Sequence, residues 1–398
     1  MSGMPRGSRV LAASTAAAAL LLSSCASFTD QPAPGNWSEA PQLSPQAAPD
    51  PQEGGSGGGG GGQGGGAPSG PQTSVPPPDG CKDFHDSVLA TCLDTLMAVA
   101  ALPGDGTNPT ALVGERTTGR ILLVRKDTEP ALFATVPVDG TGDGGLTGLA
   151  LSPTYAEDQL VFAYVTTPTD NRVVRIAPGD TPKPVLTGIP RGTTGNRGSL
   201  ANDHRGALLL ATGTAGNPTA AADPASLAGK VLRLTGEGKP AADNPTPGSP
   251  VLAAGLVSPG GVCASLDGSR TWVTDRTPAA DVIYQVEAGK PLGTPAWKWT
   301  DRPGVAGCAA TTQLLWVAMS TAGHLQSLPQ APDGSFTGKP TVSFADTEGY
   351  GRVDGLDLMT DQVAVAGTVN KRGGTPLSSD DRAVAILVQP QAGGGGVD

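Results

Sequence analysis

The chain, 398 residues long, reads as an all-β protein: a β-propeller held behind a secretory leader and a disordered Pro/Gly-rich stalk. Three observations predict this. Beyond residue 110, short apolar runs recur with Gly, Pro, Asp and Asn between them, and helical periodicity is missing. Glycine and proline are abundant at 58 and 38 residues, while aromatic residues make up only 4%, which suits closely stacked sheets with thin Ala/Val cores. A folded region of about 300 residues with this rhythm fits blades of four short strands, roughly 40–50 residues each, better than two sandwiches. The pattern alone leaves the number of blades open.

Taken from the N-terminus, Arg6 and Arg9 precede a run of small and apolar residues from Val10 to Leu22, broken only by Ser14 and Thr15. A bilayer span needs about 20 apolar residues, so this order predicts a leader over residues 1–24 rather than a membrane helix. Leu22-Ser23-Ser24-Cys25 resembles a bacterial lipobox, in which the cysteine thiol is acylated and becomes the first residue of the mature chain. The alternative is an ordinary leader with a chance cysteine. The lipobox places the protein on the extracytoplasmic face of the cell membrane, anchored through lipid on Cys25.

Residues 25–80 carry almost no apolar periodicity. They run through Pro, Gln, Ala and Ser, then glycine tracts at 54–66, then Pro76-Pro77-Pro78. Such a segment cannot offset its ordering entropy by burial, so a disordered linker is expected, with a span of roughly 40 Å as a flexible coil. A pro-segment removed after export is the alternative. The glycine-rich end, 391–398, reads as a tail.

Export makes the cysteines candidates for disulfides before catalysis or metals. With Cys25 set aside, Cys81, Cys92, Cys263 and Cys308 form an early close pair and a later pair. Of the three possible connectivities, Cys81–Cys92 and Cys263–Cys308 is the expected one. There is no CxxC or HExxH, and His85, His204 and His324 are scattered, so no metal site is assigned. The formal charge is −10, with acids dispersed and no basic patch, which disfavours nucleic-acid binding.

Within 81–390, a short helix is expected over Asp83 to Cys92, followed only by strands. The strand runs are 111–115, 120–124, 131–136, 159–165, 172–177, 206–213, 230–234, 261–266, 271–275, 281–287, 313–319, 355–359, 362–367 and 383–389.

Several segments resemble the glucose/sorbosone dehydrogenase family, soluble quinoprotein propellers of six blades. They are ALVGERTTGRILLV (111–124), DGGLTGLALSPTYAEDQLVFAYV (143–165), SLAGKVLRL (226–234) with DNP (243–245), and YGRVDGLDL (350–358), in the family's own order. The lipobox, stalk and four cysteines look most like the mycobacterial lipoprotein branch of that family. The resemblance implies six blades. It also implies a site at one end of the propeller axis, where active members hold pyrroloquinoline quinone, a histidine acts as base, an aspartate orients it, and cationic side chains grip the acidic cofactor.

At the matching positions this chain departs from the family. The base position falls on Gly195, in Gly195-Asn196-Arg197-Gly198, and the orienting aspartate on Thr214. The family's Arg-Asn pair becomes Val257-Ser258, its glutamine Asp143, its lysine a residue near Thr321, and its paired arginines Arg352 and Asp354. Asp143, Asn196, Arg197, Arg352 and Asp354 are therefore candidates for a remodelled axial pocket, with mutual salt bridging in a closed funnel as the equal alternative. His204 reads as a histidine in a polar surface turn. The run Asp139 to Gly145 offers carboxylates and carbonyls to calcium but lacks the EF-hand order.

The expected function is a binding or scaffolding propeller of the cell envelope with a degenerate active site, taking a carbohydrate or a protein as partner. The alternative is a quinone-dependent sugar dehydrogenase, and only that reading calls for pyrroloquinoline quinone and calcium as cofactors.

Overall fold

The computed structural model describes residues 75–345 and 349–388. The expectations for the leader, for lipid on Cys25, for the linker up to residue 74 and for the 391–398 tail fall outside the described residues. Pro78 to Lys82 already belong to the fold: the Ser378 hydroxyl donates to the Pro78 carbonyl, and Asp79 bridges to Lys82.

Six four-stranded antiparallel sheets make a six-bladed propeller. The first blade holds β2 (Leu96–Ala101), β3 (Thr110–Glu115), β4 (Arg120–Arg125) and β5 (Ala131–Thr135). The second holds β6 (Leu146–Leu151), β7 (Val161–Thr166), β8 (Asn171–Ile176) and β9 (Lys183–Ile189). The third holds β10 (Gly198–Asn202), β11 (Leu208–Thr212), β12 (Lys230–Leu234) and β13 (Val251–Ala254). The fourth holds β14 (Pro259–Ala264), β15 (Thr271–Arg276), β16 (Asp281–Gln285) and β17 (Trp297–Trp299). The fifth holds β18 (Val305–Ala310), β19 (Leu314–Met319), β20 (His324–Pro329) and β21 (Thr341–Ser343). The sixth holds β22 (Val353–Leu358), β23 (Val363–Thr368), β24 (Ala383–Leu387) and, on its outer side, β1 (Val88–Ala90).

That last pairing corrects the helix expected over Asp83 to Cys92. Its Val-Leu-Ala is strand β1, because the sixth blade lacks a fourth strand of its own and pairing with β24 satisfies both edges. The closure is reinforced around it. Leu93 and Asp381 exchange backbone hydrogen bonds, Asp83 accepts from Ser379 at 2.8 Å and pairs with Arg382, and Cys81 is bonded to Cys92. Two single-turn helices outside the expected pattern, α1 (Tyr155–Asp158) and α2 (Pro218–Ala222), sit in connections.

Burial explains the strand chemistry. Outer strands such as β5 alternate or lie half open, whereas β2, β14 and β18 are buried at every residue. The innermost strands β2, β6, β10, β14, β18 and β22 touch one another around the axis. They crowd so closely that some positions tolerate only glycine. A Cβ on Gly261 would lie 2.8 Å from the Gly307 Cα, and one on Gly307 would lie 2.6 Å from the Asp354 carbonyl oxygen. Farther out, fully buried Phe162, Tyr164 and Trp272 fill the widening wedges between blades. Five of the six inner strands (β2, β6, β14, β18 and β22) carry a register shift near their first residues. Bulges of this kind re-aim side chains, and all five lie toward one end of the axis.

Candidate functional site

That end is closed by a bar of charge. Arg197, one residue before β10, reaches Asp354 in β22 on the opposite side of the ring. Its Nη1 donates to Asp354 Oδ2 at 2.9 Å, its Nη2 donates to the other carboxylate oxygen, and Nη2 also donates to the Gly260 carbonyl at 2.6 Å. Both side chains are buried, 5% and 4% exposed. Arg276, at the end of β15, lies 4.0 Å from the same carboxylate and donates to the carbonyls of Val305 and Gly304 and to the Ser320 hydroxyl. Burial, with Arg197 beside it, pulls the Arg276 guanidinium down to about 10.

The other expected pocket residues gather at the same end and are engaged by protein. Asp143 accepts from the backbone amides of Gly195 at 2.7 Å and Asn196 at 3.2 Å, and from the Asn196 side chain. Asn196 is buried and also bonds both backbone groups of Gly192. Arg352 donates to the carbonyls of Ser320 and Arg372. The position expected for a base, Gly195, offers only backbone. Gly195 has φ of +72°, and a Cβ there would fall 2.8 Å from the Gly216 nitrogen, so the turn excludes a larger side chain.

The loop weighed for calcium is filled by an arginine. Arg116, just after β3, donates to the carbonyls of Gly140 at 2.9 Å and Gly144 at 2.7 Å, and Arg372 donates to Gly142. Burial and the nearby Arg372 cation hold the Arg116 guanidinium below its ordinary value. Among the described residues, no group of three or more His, Cys, Asp and Glu side chains converges as metal ligands would. Sequence reasoning missed Arg116, Arg276 and Arg372. The first lies inside the quoted GERTTGR segment, but nothing in one sequence says that its guanidinium turns toward a loop 24 residues on.

None of the three histidines is part of the bar, although His324, opposite Met319 and through it level with Val305, starts its strand at the same end. His85 stacks edge-on against Tyr350, with centroids 5.3 Å apart. His204 is exposed in the β10–β11 turn at φ of +54°, and His324 opens β20. The segment most like the family, SLAGKVLRL with DNP, is structural. Lys230 is buried and caps the Ala221 and Ala228 carbonyls, while Arg233 ties Asp203 to Asp243. Asn244 then closes that loop on the Arg233 and Ser249 carbonyls. The disulfides join the expected pairs, and Cys263–Cys308 links the inner strands β14 and β18 of neighbouring blades.

Comparison with known proteins agrees with this architecture. The chain is 27% identical over 231 residues to the aldose sugar dehydrogenase YliI of Escherichia coli, and the match covers 53% of this chain and 62% of that protein. Among solved structures, the PQQ-bound aldose sugar dehydrogenase of Streptomyces coelicolor superposes with a TM-score of 0.70 at 29% identity, covering 76% of this chain and 96% of that one. An oxidoreductase of Thermus thermophilus, described as a glucose dehydrogenase, gives 0.68 at 27% identity over 76% and 99%. The family profile for Glucose / Sorbosone dehydrogenase matches residues 93–312, more than half of the chain. A six-bladed ring of this sequence and shape belongs to the glucose/sorbosone dehydrogenase family.

Proposed function

We propose that this propeller is a non-catalytic binding module of the cell envelope, anchored by lipid on Cys25 and holding a glycan or protein ligand. The observation that carries the reading is the Arg197–Asp354 pair, which spans the axis where a dehydrogenase of this family would hold its cofactor. The residues there do not fit a flat tricarboxylate. The Asp354 carboxylate occupies the Arg197 guanidinium, Asp143 adds a second acid, and Gly195 supplies no base. Hydride abstraction from a sugar needs a base beside the reacting hydroxyl, and Asp354, the acid on the axis, is already held by Arg197. A binding role is favoured by two donors left over at this end: among the described residues, the Nε groups of Arg197 in the bar and of Arg116 in the glycine loop are buried without a hydrogen-bond partner and suit acceptor oxygens of a polar ligand. The lipid anchor and the envelope address rest on the leader and lipobox alone.

The test is isothermal titration of the purified protein, disulfides intact, with pyrroloquinoline quinone, with and without calcium. The expected result is no heat of binding at high micromolar quinone. Saturable binding would overturn the reading and call for a dye-linked sugar oxidation screen.

A further inference from the structure

Beyond the charged bar, the axis holds a cavity of about 370 Å³, within the range of roughly 300–1,000 Å³ typical of small-molecule sites. Its wall comes from the inner strands, with Val99, Leu149, Leu200, Val262 and Leu356 around the bonded Cys263 and Cys308. Exposed Pro103, Ala156 and His204 mark its rim, at the end of the axis where the inner strands finish. Thr147, Ser152, Ser199 and Asn202 add neutral polar groups to this wall, and one carboxylate, Asp357, stands in it. Its Oδ2 accepts from the Ala101 amide at 2.8 Å and its Oδ1 from the Leu358 amide at 3.0 Å. A carboxylate has about four acceptor positions, so these two bonds leave capacity for a ligand. Among the described residues, no lysine or arginine lines the cavity.

We propose that this channel is a second binding site, separate from the charged bar, for a small molecule with an apolar chain and an ammonium head that pairs with Asp357. An acid set in a wall with neutral polar and apolar groups but no lysine or arginine is poorly solvated as the anion, and a ligand cation arriving with its own apolar body supplies the charge the wall lacks. Burial accordingly pushes the Asp357 carboxyl up to about 7. The strands packed on β22, namely β2, β18, β19 and β23, carry no titrating side chain. Among the described residues, the only other titratable groups lining the channel are Tyr155 and His204. The site does not depend on whether the charged end binds quinone.

The probes are octylamine and 1-octanol, titrated calorimetrically into the full-length protein near pH 6 and near pH 8. Octylamine stays cationic at both, so its affinity should rise about tenfold as the ionised share of Asp357 grows from about a tenth to about nine-tenths. Near pH 8 the amine should bind at least about tenfold more tightly than the alcohol, whose affinity should not rise with pH. Asp357→Asn should flatten the pH slope of the amine, which separates Asp357 from His204 at the rim. Three results would overturn the proposal: no saturable amine binding, equal affinity for amine and alcohol near pH 8, or a slope that survives in Asp357→Asn. If that variant does not fold, the amine–alcohol comparison and the pH slope of the unaltered protein still decide.

Discussion

Replacing Asp354 by Asn preserves the side-chain shape and removes the charge from the centre of the axial bar. Arg197 would retain the Gly260 carbonyl but lose its carboxylate partner, and Arg276 would lose the attraction of an acid 4.0 Å away. Both members of the pair are nearly inaccessible, at 5% and 4% exposure, so solvent cannot take over. Removing one partner of a buried pair costs about 3–5 kcal/mol. With about 2.1 cal/mol/K of unfolding entropy per residue over about 300 residues, that is a fall in Tm of roughly 5–8 °C. Thermal unfolding followed by circular dichroism, disulfides oxidised, reads it directly. The double change Arg197→Met with Asp354→Leu should lose much less, because removing both charges removes their desolvation cost as well. A Tm for Asp354→Asn within about 1 °C of the parent would refute the reasoning, since it would mean that the pair is hydrated and the axis is open at this end.

Changing Cys263 and Cys308 together to Ser frees a loop with a sequence separation of 45, so denaturant unfolding should show a loss of up to about 4 kcal/mol. Gly307→Ala should cost about 1–3 kcal/mol in the same assay, because its Cβ would meet the Asp354 carbonyl oxygen at 2.6 Å. Gly293→Ala, with open space around it, should change stability by less than about 0.5 kcal/mol. Two acids withdrawn from water, Asp275 fully and Asp357 in part, set a pH dependence: desolvation raises Asp275 to about 6 and Asp357 to about 7, against about 3.9 in the unfolded chain. The unfolded chain releases these protons first, so their contribution to stability falls as pH rises from about 4 and levels off above about 7. Asp357→Asn should flatten that decline in Tm measured across the same range.

Much of the ring was readable from the chain before any contact was known. Strands such as β4 and β7 are Val/Leu-rich runs bounded by turn residues, and their chemistry reports directly on packing between sheets. The disulfide partners also followed from the grouping of four cysteines. Other strands escaped because periodicity registers a contrast between two faces. In β2 (LMAVAA) and β18 (VAGCAA) the inner strands are buried at every residue, and small and apolar side chains replace the alternation. The segment 83–92 escaped for another reason: its short apolar stretch becomes a strand only because β24, nearly 300 residues away, offers an edge. Site residues divide in the same way. The sequence by itself, through its family resemblance, set the expectation of Gly195 at the position of a base and of Asp143 and Asp354 where an acidic ligand would want cations or amides. Only the tertiary structure decided that Asp354 is consumed by Arg197, 157 positions away, that Arg116 fills the glycine loop, and that Asp357 stands in the wall of the axial cavity. Closing six blades into a ring brings side chains from opposite blades within hydrogen-bonding distance, and nothing local in the chain encodes that meeting.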